Sequence, residues 1–206
     1  MNVLVFDTSS KDIYVALITD FYARTNRFID MPSTEYLLDR VDSLLKDNNL
    51  SIGNIDTISV GVGPGSFTGS RVAVATAKGF LCAKPELKAV CFSSFDALSK
   101  EAEPDDMIVV EGFSDYVYVR NGDKERCVTK DEARKMARSC DRVLGLSNLL
   151  DVSNYAEAEY DIVNATRRKI KENKFILVDE LEPLYLRASQ AEIEFIKRRK
   201  DEGKED

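Results

Sequence analysis

Two short segments hold the residue types that could do chemistry. The first is Asp7-Thr8-Ser9-Ser10, which closes the apolar run Asn2 to Phe6 and gathers a carboxylate and three hydroxyls in one polar turn. A carboxylate there can serve a metal while hydroxyls and amides hold phosphate, or it can cap its own turn as an Asx-type acceptor. The second is Val60-Gly61-Val62-Gly63-Pro64-Gly65-Ser66-Phe67-Thr68-Gly69, which follows the β-branched run Thr57 to Val62 and precedes an alanine-rich helical pattern. A strand, a glycine loop and a helix in that order present backbone N–H groups to an anion. The loop matches neither common phosphate signature. No glycine pair is followed by Lys-Ser/Thr at P-loop spacing, and the three-glycine dinucleotide spacing breaks at Ser66 and at Thr68. Gly63, Pro64, Gly65, Ser66, Phe67, Thr68 and Gly69 therefore read either as an anion site or as a tight strand-to-helix connection. Pro64 removes one donor, Gly65 and Gly69 permit torsions other residues resist, and Phe67 is either exposed or an anchor into the core.

The chain contains no histidine. Ser-His-Asp and Cys-His mechanisms and His-ligated metals are thereby excluded, and only a carboxylate metal site stays open. Cys82, Cys91, Cys127 and Cys140 form no Cys-x-x-Cys pair, so neither a zinc site nor a redox dithiol is signalled. Cys82 and Cys91 lie among apolar residues and read as small core residues. The formal net charge of −7 opposes nonspecific binding to a nucleic-acid backbone. Arg167, Arg168, Lys169 and Lys171 form a local basic cluster, read as a solvated helix face or as a basic patch. No apolar run reaches the length of a membrane span and the N-terminus lacks signal-peptide flanks, so a cytoplasmic location with no membrane partner is expected.

The elements that must position these residues fall into two similar halves. Asn2–Phe6, Asp12–Thr19 and Phe21–Ile29 read as strands, Thr34–Asn48 as an amphipathic helix, and Thr57–Val62 as a strand. Ser33 or Thr34 is the expected helix cap, and Leu37, Leu38, Val41, Leu44 and Leu45 are its expected apolar face. Ser70–Lys84 reads as a second helix, followed by a strand at Lys88–Phe92 and a short helix at Ser94–Ala102. After the polar break Glu101 to Asp106, strands are expected from Met107 to Val110, Tyr116 to Arg120 and Lys124 to Val128, with a hairpin turn at Asn121-Gly122. Thr129-Lys130-Asp131-Glu132 resembles a capping box before a helix to about Ser139, and Arg142–Leu146 reads as a strand. Leu149–Ala158 is irregular, Tyr160–Asn173 a helix, Phe175–Val178 apolar, Ala191–Lys200 a helix, and Asp201–Asp206 a charged end. Strand, strand, strand, helix, strand thus occurs twice, with Asp7 and Glu111 at matching turns. The expectation is an α/β protein of two duplicated βββαβ lobes, residues 1–103 and 104–206, of the two-lobe actin-like (ASKHA) class.

The glycine loop, continuing into Ser70-Arg71 and a helix with Ala77-Lys78-Gly79, resembles the TsaB (YeaZ) family. Three further segments agree with that family: Asn2 to Ser9, Glu35-Tyr36-Leu37-Leu38 with the helix after it, and the C-terminal Glu182-Pro183-Leu184-Tyr185-Leu186-Arg187. The resemblance spans nearly the whole chain in order, dense in the first half and thin between about residues 100 and 180. It implies the actin-like fold and a non-catalytic role in forming threonylcarbamoyladenosine on tRNA. It further implies a catalytic TsaD partner subunit, an ATPase TsaE subunit reached through the complex, a homodimer when the chain is alone, and only indirect contact with tRNA. The chain itself would hold no cofactor and no metal and no catalytic residue; ATP or ADP and the metal would sit on partner subunits. The subunit interface would use Tyr36, Arg40, Ser70, Arg71, Val74, Lys78 and Leu81, with Val74 at the centre of the outward face. In this reading Asp7, Thr8, Ser9 and Ser10 are phosphate-loop-like, and the loop from Gly63 to Gly69 is part of the scaffold. Two places depart from the family pattern: Pro32-Ser33-Thr34-Glu35 stands where His-Ser-Glu is usual, and Glu111 to Tyr118 lacks the usual Asp-Ala-Arg. The alternatives are a small-molecule or carbohydrate kinase of the same fold, which would bind ATP at Asp7 to Ser10, and a peptidase, for which no nucleophile-base pair is present.

Overall fold

The near-continuous apolar runs at the N-terminus form the middle of a sheet covered on both faces. In the computed structural model, which describes residues 1–187, β1 (Val3–Asp7) and β2 (Ile13–Ile18) are buried along their whole length. Strands that bury both faces need no polar alternation. The first sheet adds β3 (Ala23–Phe28), β4 (Thr57–Gly61), β5 (Lys88–Phe92) and a two-residue β11 (Phe175–Ile176), in the order β11-β5-β4-β1-β2-β3. β1 pairs antiparallel with β2 and parallel with β4, placing Phe6 opposite Val15 and beside Val60. One face is covered by α1 (Ser33–Asp47) and α2 (Phe67–Ala83), which bury Leu37, Val41, Ala73 and Val74 against Leu4, Phe6 and Ile58. The other face is covered by α5 (Ile162–Lys171), whose Ile162 and Ala165 meet Val3, Val5 and Ala16. Each fully buried leucine or phenylalanine contributes roughly 2 kcal/mol, so both layers are needed to hold these strands.

A short α3 (Ser94–Leu98) leads to the second sheet, made of β6 (Met107–Glu111), β7 (Tyr116–Asn121), β8 (Lys124–Thr129), β9 (Val143–Gly145) and β10 (Tyr155–Glu157). Its order is β10-β9-β6-β7-β8, with β6 antiparallel to β7 and parallel to β9. Apart from β11, which has no counterpart, this repeats the strand order of the first lobe, so the duplicated βββαβ unit of the two-lobe actin-like fold is present. α4 (Lys130–Ala137) packs Ala133 and Ala137 on this sheet and is capped by Thr129, whose hydroxyl accepts from the Glu132 amide.

Several expectations need correction. The residue before α1 is Pro32, without a side-chain cap, rather than Ser33 or Thr34. Leu38 is 58% exposed, because one residue beyond Leu37 turns about 100° around the helix. α2 begins at Phe67, three residues before Ser70, because the Ser66 hydroxyl caps it by accepting from the Gly69 amide. Cys82 is exposed rather than a core residue. α3 ends at Leu98 rather than Ala102, and β10 lies inside the stretch read as irregular. The second lobe is not the continuous segment 104–206: α5, β11 and Leu181 return to the first lobe. The expected helix at Ala191–Lys200 and the charged end lie outside the described residues.

Candidate functional site

The Asp7 turn and the glycine loop, separate in sequence, form one unit in space. Thr8 donates its hydroxyl to the Gly69 carbonyl at 2.7 Å, and the Ser66 amide donates to the Ser9 carbonyl. The two backbones approach so closely that a Cβ on Gly69 would lie 1.7 Å from the Thr8 carbonyl oxygen, and one on Gly65 2.0 Å from that of Ser9. Glycine is required at both positions by this contact. At Gly69, which is helical, it is close approach and not a left-handed torsion that selects the residue. The Gly63–Pro64 peptide is cis, and the Pro64 carbonyl accepts from the Ser94 hydroxyl at 2.7 Å.

Asp7 is fully buried. Its carboxylate accepts from the Ser9 amide at 2.8 Å, the Ser9 hydroxyl at 3.0 Å and the Tyr160 hydroxyl at 2.5 Å. The Ser9 hydroxyl is also 2.9 Å from that of Ser94. Burial raises the Asp7 carboxyl above the ordinary aspartate range, opposed by the hydrogen bonds from Tyr160, Ser9 and Thr8. Burial also raises Tyr160 well above the usual tyrosine range, aided by the adjacent Asp7 charge. A carboxylate whose lone pairs are taken by three internal donors is placed as a turn-and-junction acceptor, not as a group open to a metal on the surface.

Between the lobes lies a cleft of about 580 Å³. Its first-lobe wall is Ser9, Ser10 and Lys11 with Gly65 to Thr68 of the loop, and its floor includes Ser94, Leu98 and Tyr160. The opposite wall is the end of β6, Val109 to Glu111, with Gly112, Phe113 and Tyr118. Asp7 and Glu111, the matching acids of the two lobes, thus differ: Asp7 is sealed behind the wall, and Glu111 is exposed and lines the cleft. The segment Glu182 to Arg187 crosses from one wall to the other. Glu182 pairs with Lys78 at 2.8 Å, the Leu184 amide donates to the Val62 carbonyl, and Tyr185 stacks on Phe67 with ring centroids 4.8 Å apart. Arg187 then lies 5.8 Å above Phe113 and 5.2 Å above Tyr116 in the second lobe. The lobes are also tied by Asp96 of α3, which pairs with Arg120 of β7 at 3.2 Å and Lys169 of α5 at 2.8 Å. Burial alone would raise the Asp96 carboxyl, but Lys169, the Ser93 amide and Arg120 outweigh it and hold it at about 2.

The residues expected at a subunit interface separate into two groups. Ser70, Val74 and Leu81 face inward, and Val74 packs in the core of its own lobe, so it is not the centre of an outward face. The apolar pattern from Val72 to Leu81 surrounds the helix and could not by itself orient it. Tyr36 and Arg71 are exposed, Lys78 half-buried, and Arg40 lies over the rings of Phe28 and Tyr36 at 4.7 and 5.9 Å. Arg71 stacks 3.9 Å above Phe67 and donates to the Tyr185 hydroxyl at 2.9 Å. The outward side of α2 is instead Thr68, Arg71, Ala75, Gly79 and Cys82. In the basic cluster, Arg168 donates to the Asp96 carbonyl and the Ser99 hydroxyl, and Lys169 pairs with Asp96, so half the cluster braces the fold. The sequence reading missed Tyr160, Ser94 and Phe113. Tyr160 stands 153 residues from Asp7, and no local pattern marks so distant a partner.

A family profile described as "TsaD: tRNA N6-adenosine threonylcarbamoyltransferase" matches residues 32–181. The chain is 30% identical over 103 residues to the tRNA threonylcarbamoyladenosine biosynthesis protein TsaB of Haemophilus influenzae, covering 50% of this chain and 43% of that protein. It is 31% identical over 80 residues to the protein of the same name from Escherichia coli, covering 38% of this chain and 35% of the relative. The matched segments therefore span less than half the length of these relatives. Two solved structures from Pseudomonas aeruginosa share the fold. YeaZ has a TM-score of 0.71 at 17% identity, covering 90% of this chain and 99% of that one. An uncharacterized protein with similarity to peptidase YeaZ has a TM-score of 0.74 at 19% identity, with the same coverage.

Proposed function

The chain belongs to the TsaD threonylcarbamoyltransferase family, on its TsaB/YeaZ side, and from that premise we propose that it is a non-catalytic subunit in forming N6-threonylcarbamoyladenosine on tRNA. It docks on a catalytic TsaD-type subunit and holds it competent, with an ATPase subunit joining through the complex. Nucleotide and metal are handled by those partners, and tRNA is contacted indirectly. The observation that carries this reading is the enclosure of Asp7. The carboxylate that a kinase of this fold would offer to a metal is fully buried and bonded to Ser9 and Tyr160. The chain also supplies no histidine as a general base or metal ligand. Among the described residues, no helix is long and apolar enough to cross a membrane.

The docking surface is the outward side of α2 with the exposed residues of α1. Ala75 and Gly79 leave that side low, and a Cβ added at Gly79 would meet nothing within 4 Å. Small side chains let a second helix approach closely. In the absence of the catalytic subunit the same patch joins two copies of this chain, since a two-fold contact reuses one surface. The test is reconstitution: unmodified tRNA, threonine, bicarbonate and ATP, with the partner enzymes of the same organism, assayed for threonylcarbamoyladenosine. Omitting this chain abolishes the product, and the chain alone shows no turnover of ATP or peptides. Full modification without the chain, or turnover by the chain alone that vanishes in Asp7→Ala, overturns the proposal.

A further inference from the structure

We propose that Arg40 is the receptor for one side-chain carboxylate of the protein on which this chain docks, so that the flank of α1 selects a partner surface bearing an aspartate or glutamate at that place. The inference rests on the docking reading above and adds the chemistry that the partner must offer. Tyr36 and Arg40 stand four residues apart and so share one side of α1. Phe28, at the end of β3, lies against them. It pairs in register with the fully buried Ile13 and packs on the same core as Leu37 and Val41. The guanidinium carbon of Arg40 is 4.7 Å from the centre of the Phe28 ring and 5.9 Å from that of Tyr36. Stacking on rings holds the guanidinium by its faces, while its hydrogen-bond donors all lie along its edge.

Those donors are not used inside the chain. Among the described residues Arg40 makes no hydrogen bond and no ion pair, and its Nε is buried without a partner. Arginines that brace this fold are treated differently: Arg27 is paired with Asp12, Arg120 with Asp96 and Glu125, and Arg142 with Asp106. Buried donors are satisfied with few exceptions, so an orphaned one on a helix flank asks for an acceptor from outside the chain. A carboxylate meets a guanidinium edge through two parallel N–H···O bonds. An RNA phosphate would fit the same fork. Glu35, Asp39 and Asp47, however, are exposed on α1 and repel a polyanion, whereas a single carboxylate on a folded partner brings no such row of charge.

The test measures association of the full chain with the catalytic subunit of the same organism by titration calorimetry, beside a melting curve of each variant alone. Arg40→Met keeps bulk against the two rings and removes the orphaned donors. It melts at or above the temperature of the parent and binds the catalytic subunit about tenfold more weakly. Arg40→Lys keeps the charge without the fork and stays at least about threefold weaker than the parent. Arg40→Glu sets two carboxylates against each other and loses about a hundredfold. Added salt weakens the parent more than it weakens Arg40→Met. Equal binding by parent and Arg40→Met overturns the proposal and leaves the docking itself standing. Melting of Arg40→Met well below the parent makes the arginine a brace of the fold and also overturns it. Direct binding of unmodified tRNA by the chain alone, lost in Arg40→Met, overturns it in favour of a phosphate. A parent that fails to bind the catalytic subunit overturns the docking reading, and the proposal with it.

Discussion

Tyr160 and Asp7 show how one pair of side chains fixes the junction of distant elements. Replacing Tyr160 with phenylalanine removes one of the three donors to a fully buried carboxylate. The expected loss is about 1–3 kcal/mol in urea unfolding, because the remaining charge stays desolvated with fewer partners. The raised pKa of Asp7 has a second consequence. Between its unfolded value and its raised folded value, the native state binds more protons, so the Asp7 contribution to stability falls as pH rises through that window. Asp7→Asn removes this slope, and unfolding measured across mildly acidic pH in both proteins checks it. The Asp-Thr-Ser turn was legible as a turn from its composition alone. Its use as the acceptor for Tyr160 was not, because side-chain pairing across 153 residues leaves no trace in local spacing.

At the scale of elements, the glycine loop and α2 carry two predictions. Gly69→Val places carbon against the Thr8 carbonyl and Gly65→Val against that of Ser9, both backbone atoms that cannot swing aside. Each variant melts well below the parent, a loss of roughly 3 kcal/mol or more; variants that melt normally but lose partner binding would make the loop a docking element instead. α2 separates fold from docking. Val74→Glu buries an unpaired charge in the core of the lobe and prevents folding, whereas Ala75→Glu, on the exposed side, leaves the circular-dichroism melt unchanged and abolishes association. Light scattering and pull-down with the catalytic subunit check the second half. The helix was readable from its alanine-rich pattern, but its rotation was not. Buried Ser70, Ala73, Val74, Ala77 and Leu81 follow helical spacing, yet the sequence offers small residues on the other sides as well.

For the whole molecule, the relation between the lobes rests on Asp96, whose carboxylate joins Arg120 of the second lobe to Lys169 of α5. Its pKa is lowered to about 2, so it adds stability above the ordinary aspartate value that is lost as pH falls through about 2. The contribution is roughly 2 kcal/mol. Acid unfolding followed by far-ultraviolet circular dichroism therefore begins at higher pH in Asp96→Asn than in the parent. The same substitution loosens the link between the lobes and so increases amide hydrogen exchange along α3 and β7.

The sequence by itself determined the α/β class, the duplicated order of strands and helix, the exclusion of histidine chemistry and the existence of the β7–β8 hairpin, though its turn residues are Gly122 and Asp123 and the expected Asn121 pairs with Lys124 inside the strands. These are properties of local spacing and composition, and local spacing survives folding. Only the tertiary structure decided that Asp7 is enclosed, that Val74 faces inward while Ala75 faces out, and that the chain returns from the second lobe to the first through α5 and β11. It also decided that Lys11, Phe67, Phe113 and Arg187 share one cleft. Each of these depends on which distant surfaces meet, and that is set by burial of both faces of a sheet and not by any pattern within a single element.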